Sequence, residues 1–200
     1  MSWIKVGAVH RLLDAYPRLR VLRVRGSMDT LSFAPVRHAA VRELAFETGG
    51  LGRGILAGVV ASDLPALEHL ELWLGVDRYG GDITVDDLAP LLGGATFPGL
   101  RRLGLRNAEF ADRLAAAVAA APVVAGLTEV DLSLGMLGDE GAAALLAGQP
   151  LTHLRRLDLH HHFLSAAMAD RLVAELPGVD VDVSDRQSAE EWGRFTAVSE

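Results

Sequence analysis

The sequence predicts an α/β fold, a solenoid in which short parallel strands form a concave sheet and helices lie along its convex side. Two observations predict it. A six-residue phrase, apolar-x-x-apolar-x-apolar, recurs along the chain, and between its copies run apolar stripes at helical spacing that end in proline. The composition permits such a fold. Hydrophobic residues make up 50% of 200 residues and charged ones 22%, enough apolar surface to offset the entropy of ordering a chain of this size.

The phrase stands at 19–24, 41–46, 67–72, 100–105, 127–132 and 154–159, with a degenerate seventh at 178–183. Within each copy the alternating apolar residues make a short strand with one buried face. Between copies, Phe110, Leu114, Ala117 and Val118 form one helical face, Leu145 and Leu146 belong to a second, and Met168, Leu172, Val173 and Leu176 form a third. Pro65, Pro98, Pro122, Pro150 and Pro177 close the crossovers, because proline cannot continue a helix. Residues 26–40, including Pro35, are too few for a full helix and predict an extended or 3₁₀ crossover. Residues 75–82 are dense in glycine and carry Tyr79, which predicts an exposed loop before a helix from about 85 to 92.

The clearest copy runs from 127 to 149, where the phrase is followed by Leu137-Gly138-Asp139-Glu140-Gly141-Ala142. On these residues the chain resembles the leucine-rich repeat family in its ribonuclease-inhibitor-like branch, and the stretch 151–163 resembles uncharacterised bacterial members of it. The resemblance spans about 17–185. It implies a horseshoe arc and, for function, protein–protein recognition without catalysis or cofactor. The family's asparagine after the strand survives as Asn107, one position early, while Gly75, Gly135 and His162 fill the expected slot in other repeats. The asparagine ladder that ties neighbouring turns is therefore largely replaced, and histidines at 160–162 are expected to bond to backbone in its stead.

The domain is expected to span 1–184, with 185–200 as a polar tail or cap. Trp3-Ile4 through Tyr16 read as an amphipathic piece packed on the first strand, more like half a repeat than a dedicated cap. Relatives would carry further repeats upstream, so Leu22 and Val24 are expected to lie at an uncovered edge open to self-association. At the far end, Trp192 and Phe195 are expected either to fold over Val181 and Val183 or to fray.

Charge and composition narrow the partners. Lys+Arg 19 against Asp+Glu 26 gives a net charge of −7, which lacks the basic footprint of nucleic-acid binding. The absence of cysteine removes disulfides and thiolate metal sites. No stretch approaches a membrane span, and the first ten residues lack the apolar core of a secretory signal. A cytoplasmic protein is expected.

Outward positions of the strands form three columns of neighbouring side chains. The first runs Val21, Glu43, His69, Arg102, Glu129, Arg156, Asp180 and can pair laterally. The second stacks Asp131, Asp158 and Asp182 like on like, to be relieved by Arg102 and Arg156 or by a cationic partner. The third sets Trp73 beside Arg106, the composition of an interface hot spot. The expected partner-binding surface is thus Glu47, Glu71, Trp73, Arg102, Arg106, Asp131, Arg156, Asp158 and His160, with Tyr79 from the loop. Two alternatives stand beside it: a metal-binding or metal-dependent hydrolase site at Asp131, Asp158 and His160, and self-association through the N-terminal edge. A Ser133, His160 and Asp158 set lies on adjacent strands without a nucleophile elbow or oxyanion motif. Glycine-dense 49–54 has no Gly-Lys-Ser/Thr to make a phosphate loop.

Overall fold

Every copy of the phrase becomes a strand in the computed structural model, which describes residues 6–26, 30–189 and 193–198. The strands are β1 (Val21–Arg25), β2 (Glu43–Glu47), β3 (His69–Gly75), β4 (Arg102–Ala108), β5 (Glu129–Asp131), β6 (Arg156–Asp158) and β7 (Asp180–Asp182). They form one open sheet in the order β1-β2-β3-β4-β5-β6-β7, and every neighbouring pair is parallel. The register joins equivalent residues: Leu44, Leu70, Leu103, Val130 and Leu157 are successive partners. A one-residue slip would turn each leucine to the other face, so the shared pattern is what holds this register.

The helices are α1 (His10–Ala15), α2 (Arg53–Val60), α3 (Ala89–Leu92), α4 (Ala111–Ala119), α5 (Asp139–Ala147) and α6 (Ala166–Glu175). Their buried residues, among them Leu13, Ile55, Leu91, Leu114, Leu145 and Leu172, share one cluster with the strand leucines, so the helices pack on the leucine face of the sheet. Ser165 caps α6, its hydroxyl accepting the Met168 N–H at 3.1 Å. One buried cluster runs without interruption from Val9 and Leu13 through the strand leucines to Leu172 and Leu176. Val173, expected on the inner stripe of α6, is 51% exposed; the stripe consists of Leu172 and Leu176 in the core with Met168 packed against it.

The crossovers follow their lengths. Residues 30–41 are extended and bridge to both neighbours, Ser32 to Ala8 and Arg37 to Asp63. Residues 86–92 are a 3₁₀ turn, Asp86–Leu88, running into the single turn of α3. The glycine-dense loop makes a 3₁₀ turn at Asp77–Tyr79, closed by Gly80 at φ 87. It folds back on Gly50, where an added Cβ would lie 2.5 Å from the Tyr79 carbonyl oxygen. Tyr79 is half-buried, its backbone pressed against this glycine, so the loop is less projecting than the sequence predicts.

After the strands the chain turns by a repeated device. Asn107, Leu134, His161 and Asp185 all have left-handed backbone, with φ of 57, 66, 57 and 57. Their N–H groups continue the ladder: Asn107 donates to the Ser133 carbonyl at 2.8 Å, Leu134 to His160 at 2.9 Å and His161 to Ser184 at 3.1 Å. One position later, His162 bonds to backbone, as the sequence predicts. Its Nε2 meets the Val183 carbonyl at 2.9 Å and its Nδ1 accepts the Leu164 N–H at 3.1 Å.

Both ends differ from expectation. Leu22 and Val24 are 7% and 5% exposed, in the cluster that also holds Val9 and Leu13; β1 is the edge strand of the sheet, and the exposed apolar groups there are Leu12, Tyr16 and Val21. At the other end Phe195 does not cover Val181 and Val183. The segment 193–198 turns back to β4 and β5, and Phe195 packs edge-on against His161 and Phe163. Trp3, Ile4 and Trp192 lie outside the described residues. Among the described residues no helix is long and apolar enough to cross a membrane.

Candidate functional site

The sheet face opposite the helices is an ionic array built from the outward columns, which align as the sequence predicts: Glu43, His69, Arg102, Glu129, Arg156 and Asp180 are successive partners. Small residues decide which of its long side chains meet. Ala45 lies between Arg23 and Glu71 in the second column, so the Arg23 guanidinium spans it and reaches Glu43 at 2.5 Å, Glu47 at 3.1 Å and Glu71 at 3.4 Å. Arg25 adds a second guanidinium to Glu47. Burial pushes the Glu43 carboxyl up, and the Arg23 hydrogen bond and charge outweigh it, so Glu43 stays below the usual carboxylate range. Arg23 and Glu43 are absent from the surface predicted by sequence. The available signal was a small residue flanked by opposite charges in one column.

At the centre, Trp73 is 8% exposed rather than presented. Its Nε1–H donates to Glu71 at 2.7 Å, and the Arg106 guanidinium lies over its ring at 5.3 Å. Arg106 also donates to Glu71 at 3.2 Å and to the Ser133 hydroxyl at 2.9 Å, and pairs with Asp131 at 3.2 Å. Glu47, Glu71 and Trp73 are therefore buried supports of the face, because Arg23, Arg25 and Arg106 cover them. The accessible members of the predicted surface are Arg102, Arg156, Asp131 and His160, with Asp158 more enclosed.

Gly104 leaves a gap in the second column next to Arg106. It floors a cleft of about 120 Å³ walled by His69, Glu71, Glu129, Asp131, Arg156 and Asp158. The first column pairs laterally at Arg156 and Asp180 but not at Glu129. Arg102 points to Glu43 at 3.9 Å and Arg156 to the aspartates of β6 and β7, which leaves Glu129 without an ion pair among the described residues. His69 sits between Glu43 at 3.5 Å and Glu71 at 3.7 Å, both too long for good hydrogen bonds, and its Nδ1 is buried without a partner. Burial, reinforced by the Arg102 charge, lowers its pKa and favours the neutral ring.

The C-terminal end holds the stacked aspartates. Arg156, not Arg102, relieves them, reaching Asp158 at 3.0 Å, Asp180 at 2.5 Å and Asp182 at 2.7 Å. Asp131, Asp158 and Asp182 each also accept the N–H two residues on: Ser133 at 2.9 Å, His160 at 3.1 Å and Ser184 at 3.1 Å. Burial pushes the Asp158 carboxyl up, but bonds from His160 and Arg156 hold it below its ordinary value. Asp131 goes the other way: burial raises it more than Arg106 lowers it.

Among the described residues, the three groups close enough to share an ion are Asp158, His160 and Asp182, within 4.8 Å of one another, and not the predicted trio with Asp131. Both carboxylates already hold the Arg156 guanidinium, which supplies there the charge that a cation would bring. Ser133 is fully buried and its hydroxyl accepts from Arg106, and the His160 Nδ1 meets Asp158 at 2.7 Å; among the described residues no side-chain hydrogen bond joins Ser133 to His160. Tyr79 lies in the loop after β3, its ring beside the Arg78 guanidinium at 5.8 Å.

No family model matches the sequence, and no curated protein matches it. Among solved structures, that of a Bacteroides fragilis protein determined as a structural-genomics target is similar, with a TM-score of 0.91 at 32% identity. The likeness covers 99% of this chain and 55% of that one, so this chain spans about half the length of the solved relative.

Proposed function

We propose that the chain is a leucine-rich repeat solenoid of the ribonuclease-inhibitor-like kind and acts as a non-enzymatic scaffold, recognising a protein partner through the open face of its sheet. The observation that carries this reading is the face itself. In-register strands set out arginines, acids and His160 on one surface, and no described element packs over it. Buried ion pairs and the Arg106–Trp73 stack hold that surface in shape before any partner arrives, which lowers the entropic cost of association. The accessible rim of Arg102, Glu129, Arg156 and His160 then supplies charge-complementary contacts, which set specificity and on-rate.

The test is site-directed photocrosslinking in lysate of the source cell. A crosslinking residue replaces Arg102 on the open face or Arg171 on the outer side of α6. The reading expects a discrete partner captured from position 102 and lost when Glu129→Lys is added, with nothing equivalent from position 171. Equal capture from both positions, or none from 102, overturns it.

A further inference from the structure

The segment 194–198 lies in a groove that contacts it residue by residue. Asn107 is fully buried in a left-handed turn, and its side-chain amide makes both bonds that a peptide can offer: Nδ2–H donates to the Val198 carbonyl at 2.5 Å and Oδ1 accepts the Val198 N–H at 3.0 Å. The Ala197 N–H donates to the Leu134 carbonyl at 2.9 Å. Thr196 is buried. Phe195 is held edge-on by the His161 and Phe163 rings, with centroids 5.6 and 5.3 Å away. Arg194 pairs with Asp112 at 2.5 Å and donates to the Met136 carbonyl at 3.1 Å.

The arginine subsite is built into the fold. Asp112 is fixed by the Gly138 and Gly141 N–H groups, at 2.7 and 3.2 Å, which leaves its second oxygen for the guanidinium. The guanidinium rests on Gly138, where an added Cβ would come within 2.2 Å of it. A cavity of about 420 Å³, lined by Glu109, Phe110, Asp112, Arg113, Met136 and Arg194, continues past this end of the segment. By contrast the bound segment is itself largely exposed: Arg194, Phe195 and Ala197 keep much of their surface in solvent. Strong directional contacts with little apolar burial are the features of a ligand seated on a surface rather than of a core element.

We infer that the exits of β4, β5 and β6 form a peptide-binding groove, distinct from the open sheet face, that the chain occupies with its own residues 194–198. Its ligand class is a protein segment with arginine, then an aromatic residue, then a residue of threonine size that is enclosed, the next two residues being held through their backbone. Because the internal segment belongs to the same chain, it competes at an effective concentration on the order of millimolar, so an outside segment enters only when the internal one is weakened or outcompeted.

The experiment uses the full chain and a fluorescent hexapeptide Gly-Arg-Phe-Thr-Ala-Val, read by anisotropy. Wild type is expected to bind weakly. Arg194→Ala with Phe195→Ala, which frees the groove, is expected to bind at least tenfold tighter. Adding Asn107→Ala to that pair is expected to lose at least tenfold again, and a scrambled peptide is expected not to bind. No gain in the double variant, or equal binding of the scrambled peptide, overturns the inference. Hydrogen exchange on unmodified protein gives an independent reading should the variants misfold. The Ala197 and Val198 amides are expected to exchange by local opening while those of β4 stay protected; exchange only with global unfolding also overturns the inference.

Discussion

His162 shows how a single buried side chain can tie neighbouring turns of the chain together. A fully buried imidazole that bonds one carbonyl and one N–H must be neutral to accept at Nδ1. Burial accordingly lowers its pKa below the ordinary 6.5. The folded state then binds fewer protons than the unfolded state between that lowered value and 6.5, so the stability contributed is complete above about 6.5 and is lost as pH falls below it. His69, lowered for the same reason, adds to the slope in the same direction. Urea denaturation between pH 5.5 and 7.5 should show stability rising with pH. His162→Ala should cost about 1–3 kcal/mol at pH 7.5, the penalty for two buried backbone groups left unpaired, and should flatten the slope. Asp131 has the opposite sign. Its raised pKa means that the carboxylate costs stability above the folded value, and Asn keeps the bond from the Ser133 N–H. Asp131→Asn is therefore expected to leave stability at neutral pH within about 0.5 kcal/mol of wild type. A loss above about 2 kcal/mol in the same assay would show that the Arg106 pair outweighs desolvation.

Among the elements, the ladder of β5, β6 and β7 is the most charged part of the sheet. Each strand is three residues long, and Asp131, Asp158 and Asp182 are direct partners. Like charges in register repel, and Arg156 touches two of the three. Arg156→Ala is expected to cost roughly 1–2 kcal/mol at pH 7, a value kept modest by the guanidinium's partial exposure. Asp158 and Asp182 have lowered pKa values in the fold, so their stabilising contribution is present above the ordinary carboxylate range and is lost as pH falls through the folded values. The difference between Arg156→Ala and wild type should therefore shrink toward pH 2–3, measured by denaturation at each pH; a constant difference would assign the arginine to packing alone. At this scale the sequence was most informative. Strand positions, register and outward columns were legible because period-two burial and a recurring phrase are local signals. What was not legible was which arginine meets which acid. Arg23 reaches Glu71 because Ala45 is small, and Arg106, not Arg102, meets Asp131 because it leans past Gly104. Such reach depends on side-chain length and the room left by neighbours, which a column read from sequence does not contain. Trp73 reads as exposed for the same reason: its cover comes from a different strand.

For the whole molecule, the order of the sheet governs how stability is distributed. Each strand pairs only with its sequence neighbours, so the fold approximates a linear array in which ends open more readily than the middle. The two ends are unequal. At β1 the pair Leu22 and Val24 is buried, whereas at β7 Val181 and Val183 stay partly exposed and Asp180 faces solvent. An unmodified array would therefore fray from β7. The chain counters this by returning over its own strand exits, where Asn107 and Leu134 hold residues 197 and 198 and Asp112 holds Arg194. The return creates contacts between residues up to 91 apart in sequence and links the last repeats to the middle of the array. Native-state hydrogen exchange should show highest protection at the Leu70, Leu72, Leu103 and Leu105 amides and a decline through β6 to β7. Arg194→Ala with Phe195→Ala should lower protection of β6, β7 and α6 by at least tenfold while leaving β2 and β3 within about twofold, because a linear array passes a local loss only to adjacent repeats. A uniform drop across all strands would mean that the sheet opens as one cooperative unit, and the nearest-neighbour account of its stability would then be wrong.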